Sequence, residues 1–314
     1  MNGKRVLVTG GSGVIGQELI RLLDQSGATV RSLDRVEYPK EVGVDIEFIQ
    51  TDLVHDSLDP IREFEPDVIF HLAAVFERTD ESTSFWEDNW RDNTRLTHRL
   101  FDVAAETDAL ETLVYASSYL VYDSSTYLSS IVPDQPTVIS EEATIEPRNL
   151  CGAAKYYAEQ ELDFLAESNQ GLRVVSPRIF RVYGRGSKDV VSRWVRQALE
   201  GEKITVYNQE NRFDFIHARD VAEGLFRLAK ANDARGPINL GRGQPRSVSD
   251  VLSVITDEIP EAEDNIENSG VRDLYESSCA DVSTLVETTG WRPTRDLSSG
   301  VRDVIKYERQ RLEG

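Results

Sequence analysis

A glycine-rich turn near the N-terminus constrains the fold of this chain more than any other feature. Glycines 10, 13 and 16 follow a short apolar run, Arg5 to Thr9, and open an amphipathic pattern that continues through Ile15 to Gln25. Glycine lets the backbone approach a pyrophosphate closely, and the first N–H groups of the helix can then bind the anion. The order strand, turn, helix therefore predicts a dinucleotide-binding loop. Its expected contacts are Gly10, Gly13, Val14, Ile15 and Gly16.

An acidic residue after the next predicted strand indicates the kind of dinucleotide. The run Thr29 to Leu33 ends at Asp34, where a carboxylate is expected to bind the 2′-hydroxyl of an adenosine ribose. Asp34 should repel a 2′-phosphate more strongly than the neighbouring Arg35 attracts it, and Arg35 can instead stack on the adenine. We therefore expect NAD, rather than NADP, as the cofactor.

The following segments alternate short apolar runs with helical patterns, which is typical of parallel βαβ units. The alternation stops after Val182-Tyr183-Gly184, and the remainder is mostly helices and loops. We expect an α/β fold: a doubly wound parallel (Rossmann) sheet with a smaller C-terminal α/β lobe. The predicted boundaries are 1–182 and 213–241 for the dinucleotide-binding domain, and 183–212 and 242–314 for the lobe.

Composition narrows the possible partners. The chain has 55 acidic and 35 basic residues, a net charge of −20, which disfavours nonspecific binding to nucleic acid or to an anionic membrane. No apolar run approaches the roughly 20 residues that are needed to cross a bilayer. We expect no signal peptide, because the sequence enters a strand-like segment almost at once. The two cysteines fit neither a disulfide framework nor a zinc site. We expect a cytoplasmic protein without a metal, and an anionic substrate would need a local cluster of arginines.

Short motifs occur in a fixed order along nearly the whole chain. They are the Gly10/Gly13/Gly16 spacing, Asp34, Asp52-Leu53, His71 to Ala74, Ser117 to Tyr122, Lys155, Arg178, Val182 to Gly184, Arg212 to His217, Asp220, Asn239 to Gly241 and Gly290 to Pro293. In this order and spacing the chain resembles the extended short-chain dehydrogenases/reductases, the family of nucleotide-sugar epimerases and dehydratases. The resemblance implies that Asp52 and Leu53 lie at the adenine and that Leu72, Ala73 and Ala74 border the cofactor.

The resemblance also implies the chemistry. Family members hold the reacting sugar oxygen with a serine or threonine, here Ser118, and use a Tyr-x-x-x-Lys pair in which the lysine, here Lys155, binds the nicotinamide ribose. The tyrosine takes a proton from the sugar as hydride moves to NAD⁺. In this chain Cys151 stands where the tyrosine is expected.

Two replacements for the missing base stay open. A thiol is more acidic than a phenol, but Cys151 is shorter by a phenyl ring, so it would act through a bridging water. Alternatively Tyr119, Tyr122 or Tyr156 is the base, and Tyr119, directly after Ser118, is the best placed. Tyr119-Leu120 also lacks the carboxylates that family dehydratases carry there, which disfavours a 4,6-dehydratase.

The resemblance implies a nucleoside-diphosphate sugar as substrate, with hydride transfer at a ring hydroxyl that we expect to be C4. Guanidinium groups match phosphate oxygens in pairs, and the candidates are Arg181, Arg185, Arg212 and Arg272. The family often pairs through two long helices, so we expect a homodimer. The alternative function is a slow or non-catalytic protein that binds NAD(H) and a nucleotide sugar as a sensor or scaffold.

Overall fold

A parallel β-sheet forms the centre of the molecule. The computed structural model describes residues 1–39, 43–76, 83–271 and 274–313. The strands, in chain order, are β1 (Arg5–Thr9), β2 (Thr29–Asp34), β3 (Glu47–Gln50), β4 (Val68–His71), β5 (Thr112–Tyr115), β6 (Ser117–Ser118), β7 (Leu128–Ser129), β8 (Thr137–Ile139), β9 (Arg173–Ile179), β10 (Arg181–Tyr183), β11 (Ile204–Val206), β12 (Arg212–Phe213), β13 (Phe215–His217), β14 (Gly236–Leu240), β15 (Arg246–Ser247), β16 (Ile266–Asn268), β17 (Tyr275–Glu276) and β18 (Ser278–Ala280).

Helices cover both faces of this sheet and build the lobe beside it. They are α1 (Val14–Gln25), α2 (Asp59–Phe64), α3 (Thr83–Asn89), α4 (Leu96–Ala105), α5 (Leu150–Ser168), α6 (Val190–Glu200), α7 (Ala218–Lys230), α8 (Val248–Glu258), α9 (Ser283–Thr289) and α10 (Leu297–Glu313). A π-helical segment, Trp90–Arg95, joins α3 to α4, so the two helices follow one another through a bulge.

The strand order confirms the doubly wound fold. The sheet runs β14-β9-β5-β4-β1-β2-β3, and β6 pairs with β9 beyond the end of β5. All of its pairings are parallel. The chain leaves β1 towards β2 and β3 on one side and returns to β4 on the other. Ligands of such sheets bind in the crevice at this reversal, outside the carboxyl ends of the strands.

The apolar residues of β1 explain why helices cover both faces of the sheet. Val6 and Val8 point into a core shared with α1 and α7, whereas Leu7 points into a second core shared with α4 and α5. All three side chains are fully buried. Since successive side chains of a strand alternate between faces, a continuous apolar run is what a strand covered on both sides requires.

A third core lies in the C-terminal lobe. It is formed mainly by α6, α8 and α10, through residues such as Trp194, Ile255 and Val304. These helices fall within the segments predicted for the lobe. Leu285 of α9 instead belongs to the core of the sheet, and α9 contacts β14 and α7. In the part of the chain that the structure describes, no helix is long and apolar enough to cross a membrane.

Candidate active site

The glycine turn lies at the reversal of the sheet and is closely packed. Gly10 has a φ of 76°, and a Cβ on it would lie 2.6 Å from the backbone nitrogen of Ala73, in the loop after β4. A Cβ on Gly16 would collide with the carbonyl oxygen of Gly10. No described side chain caps α1 at Gly13, so the first N–H groups of this helix can bind an anion.

Asp34 is held beside this turn by two backbone N–H groups. Ser12 N donates to its Oδ2 and Val36 N to its Oδ1, both at 3.0 Å. The neighbouring Arg35 turns towards the π-helical segment, where its Nη1 lies 2.9 Å from Oδ2 of the buried Asp92. An arginine that is already bound to a buried carboxylate is a poor receptor for a 2′-phosphate, so the geometry fits NAD better than NADP.

The other residues predicted to contact the cofactor lie in the loops after β3 and β4. Asp52 accepts from Val54 N at 2.9 Å and lies 3.0 Å from His55 Nδ1, and Leu53 is buried beside it. Leu72, Ala73 and Ala74 follow β4, and the backbone of Leu72 and Ala73 borders the Gly10 turn. A turn that admits no Cβ, an uncapped helix and a fixed acid together fit a dinucleotide in this crevice.

A buried histidine, His71, links the elements that border the crevice. His71 Nδ1 lies 2.6 Å from Thr9 Oγ1, and its Nε2 lies 2.9 Å from Thr97 Oγ1. Complete burial and, to a smaller extent, the charge of Lys155 lower the pKa of His71 to about 3. The ring is therefore neutral and ties β1, β4 and α4 together.

Ser118 stands on β6, past the end of β5, because β6 pairs with β9. Its Oγ accepts from Leu120 N at 3.2 Å, which leaves the hydroxyl hydrogen available for a substrate oxygen. Behind it, Ser117 donates to Glu159 at 2.5 Å, and Arg178 binds both oxygens of the same carboxylate. This buried network fixes the strand that carries Ser118.

Lys155 and Cys151 lie one turn apart on α5, as their spacing predicts. Lys155 is buried, with its Nζ 4.7 Å from the centre of the Tyr115 ring. Burial lowers the pKa of Lys155 to about 8, and the neighbouring Cys151 and Glu159 oppose that shift.

Cys151 is engaged with the loop after β4. Its Sγ donates to the carbonyl oxygen of Val75 at 3.3 Å and lies 3.5 Å from Asn93 Nδ2. The Asn93 amide also binds the N–H and the carbonyl of Val75, at 2.8 and 2.9 Å. Asn93 was not among the residues that we predicted at the site. The signal in the sequence that it faces the site is its position four residues after Asn89.

Tyr119, the tyrosine that we expected to be the best placed base, is engaged by its own neighbours. It is buried, stacks on Phe180 with ring centres 5.1 Å apart, and donates its hydroxyl to Glu276 Oε1 at 3.2 Å. Burial is the largest cause that raises the pKa of Tyr119 above its usual value. A phenol with this environment holds its proton tightly, which disfavours Tyr119 as the base.

The two other tyrosines considered as bases are no better placed. Tyr122 donates its hydroxyl to Asn239 Oδ1 at 2.7 Å, and burial raises its pKa to about 12. Tyr156 packs at the margin of the core between the sheet, α1 and α7.

The four arginines predicted to bind substrate have different surroundings. Arg185 makes a bidentate ion pair with Asp303 of α10. Arg212 donates to the carbonyl oxygen of Asp134 at 3.1 Å. Arg181 lies 3.1 Å from Glu276, and Arg272 falls outside the described residues.

The fold and this crevice together define an NAD-binding protein of the extended short-chain dehydrogenase/reductase type. A model of the NAD dependent epimerase/dehydratase family matches residues 6–241, and the chain belongs to that family.

Its relatives act on UDP-sugars, according to their names. The chain is 27% identical to "UDP-glucuronic acid decarboxylase 1" of Xenopus tropicalis, over 99% of this chain and 73% of that protein. It is 25% identical to "Putative UDP-glucose 4-epimerase" of Methanocaldococcus jannaschii, over 96% and 97%. The structure of "MoeE5 in complex with UDP-glucose and NAD" is 28% identical with a TM-score of 0.85, and the match covers 98% of this chain and 99% of that one.

Proposed function

We propose that this protein is an NAD-dependent enzyme that oxidises the C4 hydroxyl of a UDP-sugar. The observation that carries the proposal is the placement of Ser118 and Lys155. Ser118 follows the carboxyl end of β5, and Lys155 lies on the helix that packs against β6 and β9, in a chain whose glycine turn and Asp34 fit NAD. The UDP-sugar relatives support the choice of substrate class.

Each of these residues has a distinct task. NAD, when bound, supplies the hydride acceptor. The glycine turn and Asp34 hold its adenosine half, and Lys155 holds the nicotinamide ribose. Ser118 donates its free hydroxyl hydrogen to the reacting sugar oxygen and so fixes the position of that oxygen.

The proton of the sugar hydroxyl needs an acceptor other than a tyrosine of the Tyr-x-x-x-Lys pair. Cys151 is too short to reach the sugar and donates its own hydrogen to Val75. A bridging water beside Cys151 takes the sugar proton and passes it to the amine of Lys155. Since the pKa of Lys155 is about 8, a useful fraction of this amine is neutral near pH 8.

The hydrogen bonds of Cys151 and Tyr119 also support a second function, which is binding without catalysis. Because Cys151 and Tyr119 both donate their hydrogens to protein acceptors, a protein that binds NAD and a nucleotide sugar without turnover is consistent with the site. The two functions are separated by adding UDP-, GDP-, CDP- and dTDP-sugars to the NAD-loaded protein and following the NADH absorbance band. Reduction with a UDP-sugar supports the enzyme, whereas sugar binding without reduction across the panel supports the scaffold.

The protein forms a homodimer through α3, the π-helical segment and α5. Large apolar side chains are exposed there: Trp86 and Trp90 one turn apart, and Tyr157 and Phe164 two turns apart on α5, with 51 to 69% of each residue exposed. Clustered apolar surface of this kind marks an interaction site, and α3 packs against α5, so the two pairs belong to one surface.

A further inference from the structure

A buried glutamate between two arginines lies next to the candidate active site. Arg148 Nη1 and Arg181 Nη2 both bind Glu276 Oε2, at 2.6 and 3.1 Å. The hydroxyls of Tyr119 and Ser278 donate to the other oxygen, at 3.2 and 3.3 Å. Apart from Glu276 and Ser278, these residues lie far apart in the sequence. Only Arg181 and Tyr119 were candidate site residues in the sequence analysis.

The charges of this cluster do not cancel. Two guanidinium groups face one carboxylate, so one positive charge is left over. Burial alone would raise the pKa of Glu276, but Arg181 and Arg148 hold it below its usual value, and the glutamate is ionised. In a chain with a net charge of −20, such a local excess of positive charge is suited to an anionic ligand group.

The arginines, rather than the glutamate, face the solvent. Glu276 has 3% of its side chain exposed, compared with 28% for Arg148 and 35% for Arg181. Phe213 covers one face of the Arg181 guanidinium, 4.3 Å from Cζ to the ring centre. Among the described residues, the buried Nε of Arg181 has no hydrogen-bond partner. The glutamate thus orients two guanidinium groups that are themselves partly exposed and can meet an incoming acceptor.

The cluster is tied by the backbone to the groups that hold the sugar. Arg148 N donates to the carbonyl oxygen of Leu120, two residues after Ser118, at 2.9 Å. Arg181 lies two residues after Ile179, which pairs with Ser118 between β9 and β6. An anionic group recognised here therefore belongs to the part of the ligand near the reacting ring.

We propose that Arg148 and Arg181, oriented by Glu276, bind the carboxylate of a uronic acid, so that the substrate is a UDP-uronic acid rather than a neutral UDP-sugar. This inference rests on the proposed function and specifies its substrate class. A carboxylate offers two oxygens to the planar guanidinium groups, whereas the neutral hydroxymethyl group of a hexose leaves the excess charge uncompensated.

The test is calorimetric titration of the NAD-loaded protein with UDP-glucuronate, UDP-glucose and UDP. The wild-type protein should bind UDP-glucuronate at least about tenfold more tightly than UDP-glucose, the usual size of a charge-assisted hydrogen bond. Arg148→Met and Arg181→Met should each weaken UDP-glucuronate binding by about tenfold and so remove most of that preference, whereas UDP-glucose binding should weaken much less. Arg196→Met is the matched control, because Arg196 also pairs with a buried carboxylate, Glu308, but in the C-terminal lobe; it should preserve the preference.

Equal wild-type affinities for the two sugars would overturn the inference without any variant. So would an equal loss of both ligands in properly folded Arg181→Met, since the arginines would then hold the shared diphosphate. If neither UDP-sugar nor UDP binds, the proposed function fails and this inference falls with it. If UDP-glucose is bound and oxidised with no preference for the uronate, the proposed function stands and only the inference is overturned.

Discussion

At the scale of single residues, the proposed reaction needs a proton acceptor, because Cys151 stands where the family has its catalytic tyrosine. Cys151 is hydrogen-bonded to Val75 and Asn93, and Tyr119 is hydrogen-bonded to Glu276. The pKa of Lys155, at about 8, suits proton transfer near neutral pH. In the proposed reaction Lys155 holds the ribose and also receives the proton.

The pH dependence of the reaction tests this role of Lys155. A base acts in its deprotonated form, so kcat/KM for the oxidation should rise as the pH increases through about 8 and level off above it. Cys151→Ser should keep this rise and move its midpoint somewhat downward, because Cys151 opposes the lowering of the Lys155 pKa but does not itself accept the proton. Loss of the rise in Cys151→Ser, or an upward shift of its midpoint, would assign the titration to the thiol instead.

Restoring the family's phenol is a second test at the same position. Cys151→Tyr should raise the rate of NAD reduction in a single turnover by about tenfold or more, since a positioned general base contributes about 10²–10⁴-fold. Cys151→Phe is the control for size and should give no gain. An unchanged rate in a folded Cys151→Tyr protein would mean that proton transfer does not limit the reaction.

At the scale of elements, the unit β1–α1–β2 could be predicted from the sequence because its signals are local. The apolar run, the three glycines and Asp34 lie within one short stretch, and the structure places them together as expected. The π-helical segment could not be predicted, since Asn93 is fixed by Val75 from another loop. The Glu276 cluster was also missed, because it joins residues 119, 148, 181 and 276, which only the folded chain brings together.

The glycine turn gives a prediction with a matched control. Gly10 and Gly3 both have positive φ, 76° and 72°, but a Cβ on Gly3 would meet nothing within 4 Å. Gly3→Ala should cost about 1–2 kcal/mol of unfolding free energy and leave NAD affinity unchanged. Gly10→Ala should cost more, about 2–5 kcal/mol in total, and abolish NAD binding, as denaturant unfolding and calorimetry can measure. Equal effects of the two substitutions would contradict the close approach of the two loops.

At the scale of the whole molecule, the proposed homodimer has to form despite an acidic surface. A net charge of −20 makes copies repel one another in general, so a stable dimer needs a confined apolar surface. In the proposed dimer, the exposed aromatic side chains of α3, the π-helical segment and α5 form that surface.

Charge substitution on this surface should convert the dimer to a monomer. Phe164→Glu, at a residue 69% exposed, places a charge in the proposed interface and should halve the mass measured by sedimentation velocity. Ile131→Glu is the control, because Ile131 is similarly exposed, at 72%, but lies outside these helices. A wild-type protein that sediments as a monomer would refute the proposed dimer.

Every step of the proposed reaction depends on NAD binding at the reversal of the sheet, between the turn after β1 and the loop after β4. Titration of nucleotide-free protein with NAD and with NADP measures this directly. We predict saturable binding of one NAD per chain and much weaker binding of NADP, because Asp34 repels the 2′-phosphate and Arg35 is already bound to Asp92. Absence of binding to either coenzyme, by a protein shown to be folded, would contradict the account.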